Sequence, residues 1–182
     1  TATKTAPVTY TVTYTGADAV TLANAHVTLN KTGTADGTAA VSGTGLTSRT
    51  VTISGITGDG TLGISIASGT ASDTAGNLAA GAGPSTTFTV DNTAPLVAIS
   101  APSATTTKSG PVTYTVTYTG ADAVTLASTT DVTTLNKTGT ANGTVAVSGT
   151  GTATRTVTIS SITGDGTLGI SLASGTASDT LG

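Results

Sequence analysis

VTYTVTYTGADAVTLA fills residues 8–23, and the same sixteen letters return at 112–127. Its first half alternates strictly. Val8, Tyr10, Val12 and Tyr14 point one way, and Thr9, Thr11, Thr13 and Thr15 point the other. A period of two describes an antiparallel strand with one apolar, half-buried face and one hydroxyl face. An apolar sheet face needs a second layer to cover it, so the stretch argues for a sandwich.

The repetition sets the domain organisation, because a missed repeat misassigns a whole fold. Residues 4–23 align with 108–127, and 30–76 with 136–182, the second copy carrying a short insertion between them. The unit of about 105 residues is too long for a helical solenoid repeat and close to the ~100 residues of a complete sandwich domain. Further alternating runs follow at 20–22, 27–29, 38–41, 49–53, 62–66, 86–90 and 97–100, a spacing typical of all-β domains. The connections, among them GTADGT, SGTGLTS, TGDGT and ASDTAGN, are rich in Gly, Asp and Asn. Asp36-Gly37 and its counterpart Asn142-Gly143 read as turn dipeptides that tolerate positive φ. No segment carries a useful 3.6-residue apolar period. The expectation is all-β: two β-sandwiches in tandem, at 1–92 and 93–182.

Composition narrows the chemistry. Of 182 residues only 8% are charged, and the formal net charge is -3. No basic patch is present to neutralise a nucleic-acid backbone. Thr supplies 48 residues and Gly 24, while Glu, Gln, Cys, Met and Trp are absent and all nine acids are Asp. Zero cysteines exclude disulfides, thiolate metal sites and cysteine nucleophiles. No apolar run approaches the roughly 20 residues that cross a bilayer as a helix. The chain reads as a window from a longer polypeptide.

The run ASDTAGN, then PSTTFTVDNTAP and a fresh domain, resembles the bacterial immunoglobulin-like (Big) repeats of large surface adhesins. The resemblance covers the whole chain and is most specific from Asp73-Thr74-Ala75-Gly76-Asn77 to Val90-Asp91-Asn92-Thr93-Ala94-Pro95. It implies two tandem immunoglobulin-like β-sandwiches, Greek-key and of about seven strands each, with end-to-end stacking and an extended stalk at the bacterial exterior, secreted or on the cell surface. Acidic residues are sparser here than in strongly calcium-loaded members. Lettered by that fold, residues 97–100 are strand A and 112–119 strand B of the second copy, and 86–90 are strand G of the first. The first copy then lacks most of strand A and the second lacks strand G, either because the segment is truncated or because neighbouring filament subunits exchange strands across open edges.

The Asp positions are the one feature that could carry chemistry. In this topology Asp59, Asp91 and Asn92 of the first unit converge with Asp122 and Asp179 of the second. Asp18, Asp73 and Asn77 form the corresponding half-site toward a preceding domain. Ca²⁺ needs six to eight oxygens, and carboxylates with Asn and backbone carbonyls suit it. The competing reading is that each Asp fastens its own turn. His26 has no counterpart in the second copy, so no Ser–His–Asp set can be drawn there, and the expectation is no enzyme. The tyrosines at 10, 14, 114 and 118 read as core residues with hydroxyls satisfied at the margin. Arg49 and Arg155 fall on the inward parity at a strand's edge and are expected to snorkel outward. The function these features imply is a stiff spacer in an adhesin stalk or filament. Its partners are neighbouring immunoglobulin-like repeats, in the same chain or in adjacent subunits, and neither nucleic acid nor membrane insertion is involved. A short linker at 91–95, with Pro95 holding Ala94 extended, implies limited freedom between the copies. The alternatives are a polymerising subunit completed by strand exchange and a glycan- or protein-binding module.

Overall fold

A computed structural model describes residues 2–3, 7–127 and 134–180. Beyond a single 3₁₀ turn at Asn24–His26, the regular structure among these residues is all strand. The chain divides into two compact units, Thr1–Thr93 and Ala94–Thr180.

Unit 1 contains β1 (Ala2–Thr3), β2 (Val8–Thr13), β3 (Ala19–Val20), β4 (Val27–Lys31), β5 (Asp36–Ser42), β6 (Ser48–Thr57), β7 (Gly60–Ile66), β8 (Ala71–Ser72) and β9 (Phe88–Val90). One sheet runs β2-β6-β5 and the other β1-β9-β7-β4, with β3-β8 as a small side ladder. Val51 and Ile53 from the first sheet meet Leu62, Ile64, Ile66, Phe88 and Val90 from the second in one buried core. The alternation makes this possible. In β6 the alternate side chains Val51 and Ile53 turn inward and are sealed from water, and full burial of such a side chain contributes about 1.5–3 kcal/mol. β1 pairs with β9 in parallel, Ala2 opposite Thr89 and Thr3 opposite Val90.

Unit 2 contains β10 (Leu96–Ile99), β11 (Val112–Thr119), β12 (Ala123–Val124), β13 (Thr134–Lys137), β14 (Asn142–Ser148), β15 (Thr154–Thr163), β16 (Leu168–Ser171) and β17 (Ala177–Ser178). Its larger sheet is β10-β11-β15-β14, with β13-β16 and β12-β17 as two-stranded ladders. Here β10 pairs along β11, Leu96 opposite Thr119 through Ile99 opposite Val116. No strand among the described residues covers the corresponding edge of β2. The identical strands respond to that difference. Val112, Tyr114, Val116 and Tyr118 are all buried, whereas Val8, Tyr10 and Val12 are only half-buried.

The structure revises several local expectations. Asp36-Gly37 and Asn142-Gly143 are not turns with positive φ. Each begins a strand with a register shift, between Asp36 and Thr38 and between Asn142 and Thr144, which is a β-bulge. The Asp36 carboxylate accepts from the Gly37 N–H at 2.7 Å and from Lys31 Nζ at 3.1 Å, pinning the strand start. A Cβ on Gly37 would sit 3.0 Å from Ile53 Cγ2, so close approach to the core explains this glycine. The strand expected at 20–22 ends at Val20, and Leu22 drops into the core. The strand expected from Thr86 begins at Phe88.

One substitution between the copies carries backbone strain. Gly55 takes φ 58, and the second copy places Ser161 in the same conformation at φ 50. A side chain there crowds the following carbonyl, costing about 1–2 kcal/mol, and glycine does not pay it. Part of the gain from Ser161→Gly is offset by greater freedom in the unfolded chain. The substitution should therefore stabilise unit 2 by roughly 0.5–1 kcal/mol, read as a higher urea midpoint at unchanged slope.

Candidate functional site

Strand direction places the aspartates at two opposite poles of unit 1. β2 and β7 both run toward the pole of Asp18 and Asp73, while β6 and β9 run toward the pole of Asp59 and Asp91. At the first pole the Asp18 N–H donates to Ser72 O at 2.9 Å, and the Thr74 N–H to Asp18 Oδ2 at 2.8 Å. Asn77 donates its backbone N–H and its side-chain amide to the two oxygens of Asp73, each at 2.9 Å. Asp18, Asp73 and Asn77 are thus brought together through residues 72–77.

At the second pole Asp59 ties the loop before β7 to the segment leaving β9. Its Oδ1 accepts from the Asn92 N–H at 2.6 Å and its Oδ2 from the Thr93 hydroxyl at 2.9 Å. Asn92 Nδ2 donates to Gly58 O at 2.7 Å, and the Thr93 N–H donates to Asp91 Oδ1 at 3.1 Å. The loop needs glycine on both sides of Asp59. Gly58 (φ 70) and Gly60 (φ 143) are left-handed, and a Cβ on either would collide with the carbonyl of Thr34 or Thr32.

Unit 2 repeats the first pole. The Asp122 N–H donates to Ser178 O at 2.9 Å, and Asp122 Oδ2 accepts from the Thr180 N–H at 2.8 Å and from the Thr180 hydroxyl. Asp179 lies in this same 178–180 segment. Donors aimed at a carboxylate favour its charged form, and the affected groups follow. Asp59 lies below the usual carboxylate range chiefly because of the Asn92 N–H, then the Thr93 hydroxyl. Asp73 is lowered first by the Asn77 side-chain amide, and Asp122 first by the Thr180 hydroxyl.

Asp59, Asp91 and Asn92 therefore meet within unit 1, and Asp122 meets the segment holding Asp179 within unit 2. In each set the geometry is that of carboxylates fastening turns. Among the described residues no three His, Cys, Asp or Glu side chains group closely enough to hold a metal ion.

The remaining polar side chains also serve the fold. His26 Nδ1 accepts from the Ala23 N–H at 3.1 Å. The tyrosines are core residues with satisfied hydroxyls. Tyr14 and Tyr118 donate to Thr70 and Thr176 Oγ1 at 3.0 and 3.1 Å, and Tyr10 to Thr86 O at 3.0 Å. Arg155 does not snorkel. Arg155 is buried, and its guanidinium donates to the carbonyls of Leu126 (3.0 Å), Gly151 (2.7 Å), Thr154 (3.0 Å) and Val124 (3.2 Å). Sequence parity pointed Arg155 inward correctly. What it missed was the ring of loop carbonyls waiting there.

Two features emerged only from the coordinates. A cavity of about 360 Å³ flanks Tyr14 and Thr70 in unit 1. A second, of about 400 Å³, lies in unit 2 between residues 104–107 and the start of β16. No helix among the described residues is long and apolar enough to cross a membrane. No family model matches the chain, and neither a curated protein nor a solved structure is similar to it at a significant level.

Proposed function

We propose that the chain is a pair of structural bricks from an extracellular bacterial array of immunoglobulin-like domains, similar to the Big repeats of surface adhesins. In this role it is a stiff, non-catalytic spacer whose partners are neighbouring repeats. The observation that supports it most is the path of force through unit 1. Its first strand, β1, lies parallel to its last, β9. Tension applied at the two ends of the unit slides such a pair lengthwise, so its hydrogen bonds load together instead of opening one by one. Asp59 then fastens the segment just beyond β9, through Asn92 and Thr93. Calcium is part of the same proposal. The Asp59 and Asp91 pole and the Asp18 and Asp73 pole would each offer carboxylate oxygens to a hard cation.

Single-molecule pulling tests this reading. The full chain should give two discrete rupture events, each releasing roughly 250–300 Å of contour for a unit of about 90 residues at ~3.4 Å per residue. The stronger event belongs to unit 1. Repeating the pull with Ca²⁺ and with a chelator separates a cation-stiffened spacer from one held by its own hydrogen bonds. Gradual extension without rupture peaks defeats the spacer reading in either solution.

A further inference from the structure

The two units are near-copies, so each displays what the other's surfaces are shaped to hold. In unit 1, Phe88-Thr89-Val90 lies between two flanks. On one side it pairs antiparallel with β7, Leu62 opposite Phe88, Thr61 opposite Thr89 and Gly60 opposite Val90. On the other it pairs in parallel with Ala2 and Thr3. Phe88 and Val90 point inward and are 4% and 1% exposed.

Unit 2 carries both flanks. Gly60-Thr61-Leu62 recurs as Gly166-Thr167-Leu168, and Ala2-Thr3 corresponds to Thr106-Thr107. Between them lies the 400 Å³ groove, with Val112, Tyr114, Ile159 and Ile162 on its floor. The burial differences fall along this groove. Leu62 is fully buried and Ile56 is 3% exposed, whereas their counterparts Leu168 and Ile162 are only half-buried. Among the described residues, the sheet ladder at β16 is the one with β13. Tyr114 reflects the difference too. Its counterpart Tyr10 donates to Thr86 O, just ahead of β9, at 3.0 Å and more weakly to Leu62 O at 3.5 Å, whereas Tyr114 donates to the equivalent Leu168 O at 3.2 Å. At the groove's far end Asp165 keeps the loop bonds to Thr140 that Asp59 makes to Thr34, and its side chain is exposed.

We propose that this groove is a docking site for one extended polypeptide strand of the pattern Thr-Phe-Thr-Val-Asp-Asn-Thr, presented from outside residues 94–182. The strand would add alongside Gly166-Thr167-Leu168, in the mode of recognition in which main-chain hydrogen bonds give affinity and alternate side-chain pockets give specificity. Its aromatic and valine side chains cover Leu168, Tyr114 and Ile162. Its backbone meets Gly166, just ahead of β16, and Leu168, the first residue of β16, in the register of β7 and β9. A carbonyl ahead of the aromatic residue takes the Tyr114 hydroxyl, and the Asn-Thr end binds the Asp165 carboxylate as Asn92 and Thr93 bind Asp59. The chain's own 86–93 segment is not the occupant, because it is committed to unit 1 with Phe88 and Val90 buried. The assignment stands on the duplication alone and is independent of the mechanical role proposed above.

The test titrates the full 182-residue chain into a fluorescein-labelled peptide, Pro-Ser-Thr-Thr-Phe-Thr-Val-Asp-Asn-Thr, followed by anisotropy. One-site saturable binding is expected, with slowed amide exchange at Gly166 and Leu168. A peptide with Asp in place of Phe should not bind. Asp165→Ala alters an exposed side chain outside the core and should weaken binding roughly tenfold, since charge-assisted hydrogen bonds are the strong ones. Tyr114→Phe should weaken it about fivefold. Absence of binding overturns the proposal. So does binding indifferent to the Phe-to-Asp change or to both variants. Dimerisation of the chain in sedimentation, with exchange at Gly166 and Leu168 already slow, would assign the groove to a second copy and equally overturn it.

Discussion

Arg155→Ala should lower the stability of unit 2 by about 3 kcal/mol, because a buried cation's hydrogen-bonding partners are left unpaired together. At 4–8 °C per kcal/mol for a domain of this size, the melting transition of unit 2 falls by roughly 12–24 °C. The reason lies in what one guanidinium reaches. It binds Val124 at the end of β12, Leu126 just beyond it, Gly151 in the loop before β15, and Thr154 within its own strand. The 124–126 and 151–154 segments lie far apart in sequence, and the one guanidinium ties them together. Arg155→Lys should recover only part of the loss, since an ammonium cannot present the planar fork that spans them. Arg49 supplies an internal control. It is only half-buried and donates to Gly45, Ser48 and Val20 carbonyls, so Arg49→Ala should cost clearly less in unit 1. Differential scanning calorimetry of both variants checks this. Equal losses at the two positions would mean that burial of the Arg155 head is not what counts.

Phe88→Ala should cost unit 1 about 3–5 kcal/mol, the range for deleting a buried aromatic ring. Phe88 is one of three residues in β9 and the sole phenylalanine in the chain. It packs in the core with Leu62, Ile64 and Val90. Loss of the ring should also loosen the β7–β9 ladder, so amide exchange at Gly60 and Leu62 should accelerate toward the values of Gly166 and Leu168. Urea unfolding gives the energy and exchange gives the locus. A loss under about 1 kcal/mol would mean that β9 is held by its backbone and by Asp59 alone.

Much of the fold was legible because its signal is local. Strict alternation in 8–15 and 49–53 assigns each side chain to a face without knowledge of its neighbours, and the repeat delivers the second unit from the first. What escaped was non-local. Asp36-Gly37 has the composition of a turn, yet Ile53 sits so close that the glycine is needed within a bulged strand. Arg155 has outward chemistry on an inward position, and only the carbonyls of Val124 and Leu126, 31 and 29 residues earlier, resolve the conflict. Within unit 1, topology alone brings the Asp18 loop to residues 72–77 and the Asp59 loop to residues 91–93. Which donors each carboxylate takes was not readable, since Thr74, Thr93 and Thr180 are indistinguishable in sequence from the other threonines. The groove beside β16 was invisible for a further reason: it is defined by comparing the burial of identical residues.

The interchangeability of β2 and β11 has a consequence for how the polypeptide reaches its native state. Both read VTYTVT along the pairing edge, and both partners, β6 and β15, offer the same Val and Ile pattern. Contact energy therefore scarcely distinguishes the correct match from the crossed one. Selection falls to tether length. β6 reaches β2 across about 35 residues and β11 across about 55, a closure difference of only ~0.4 kcal/mol. Vectorial synthesis removes the ambiguity, since β2 and β6 leave the ribosome and can pair before β11 exists. Refolding of the finished chain from denaturant has no such ordering, and crossed pairing between adjacent copies becomes its principal kinetic trap.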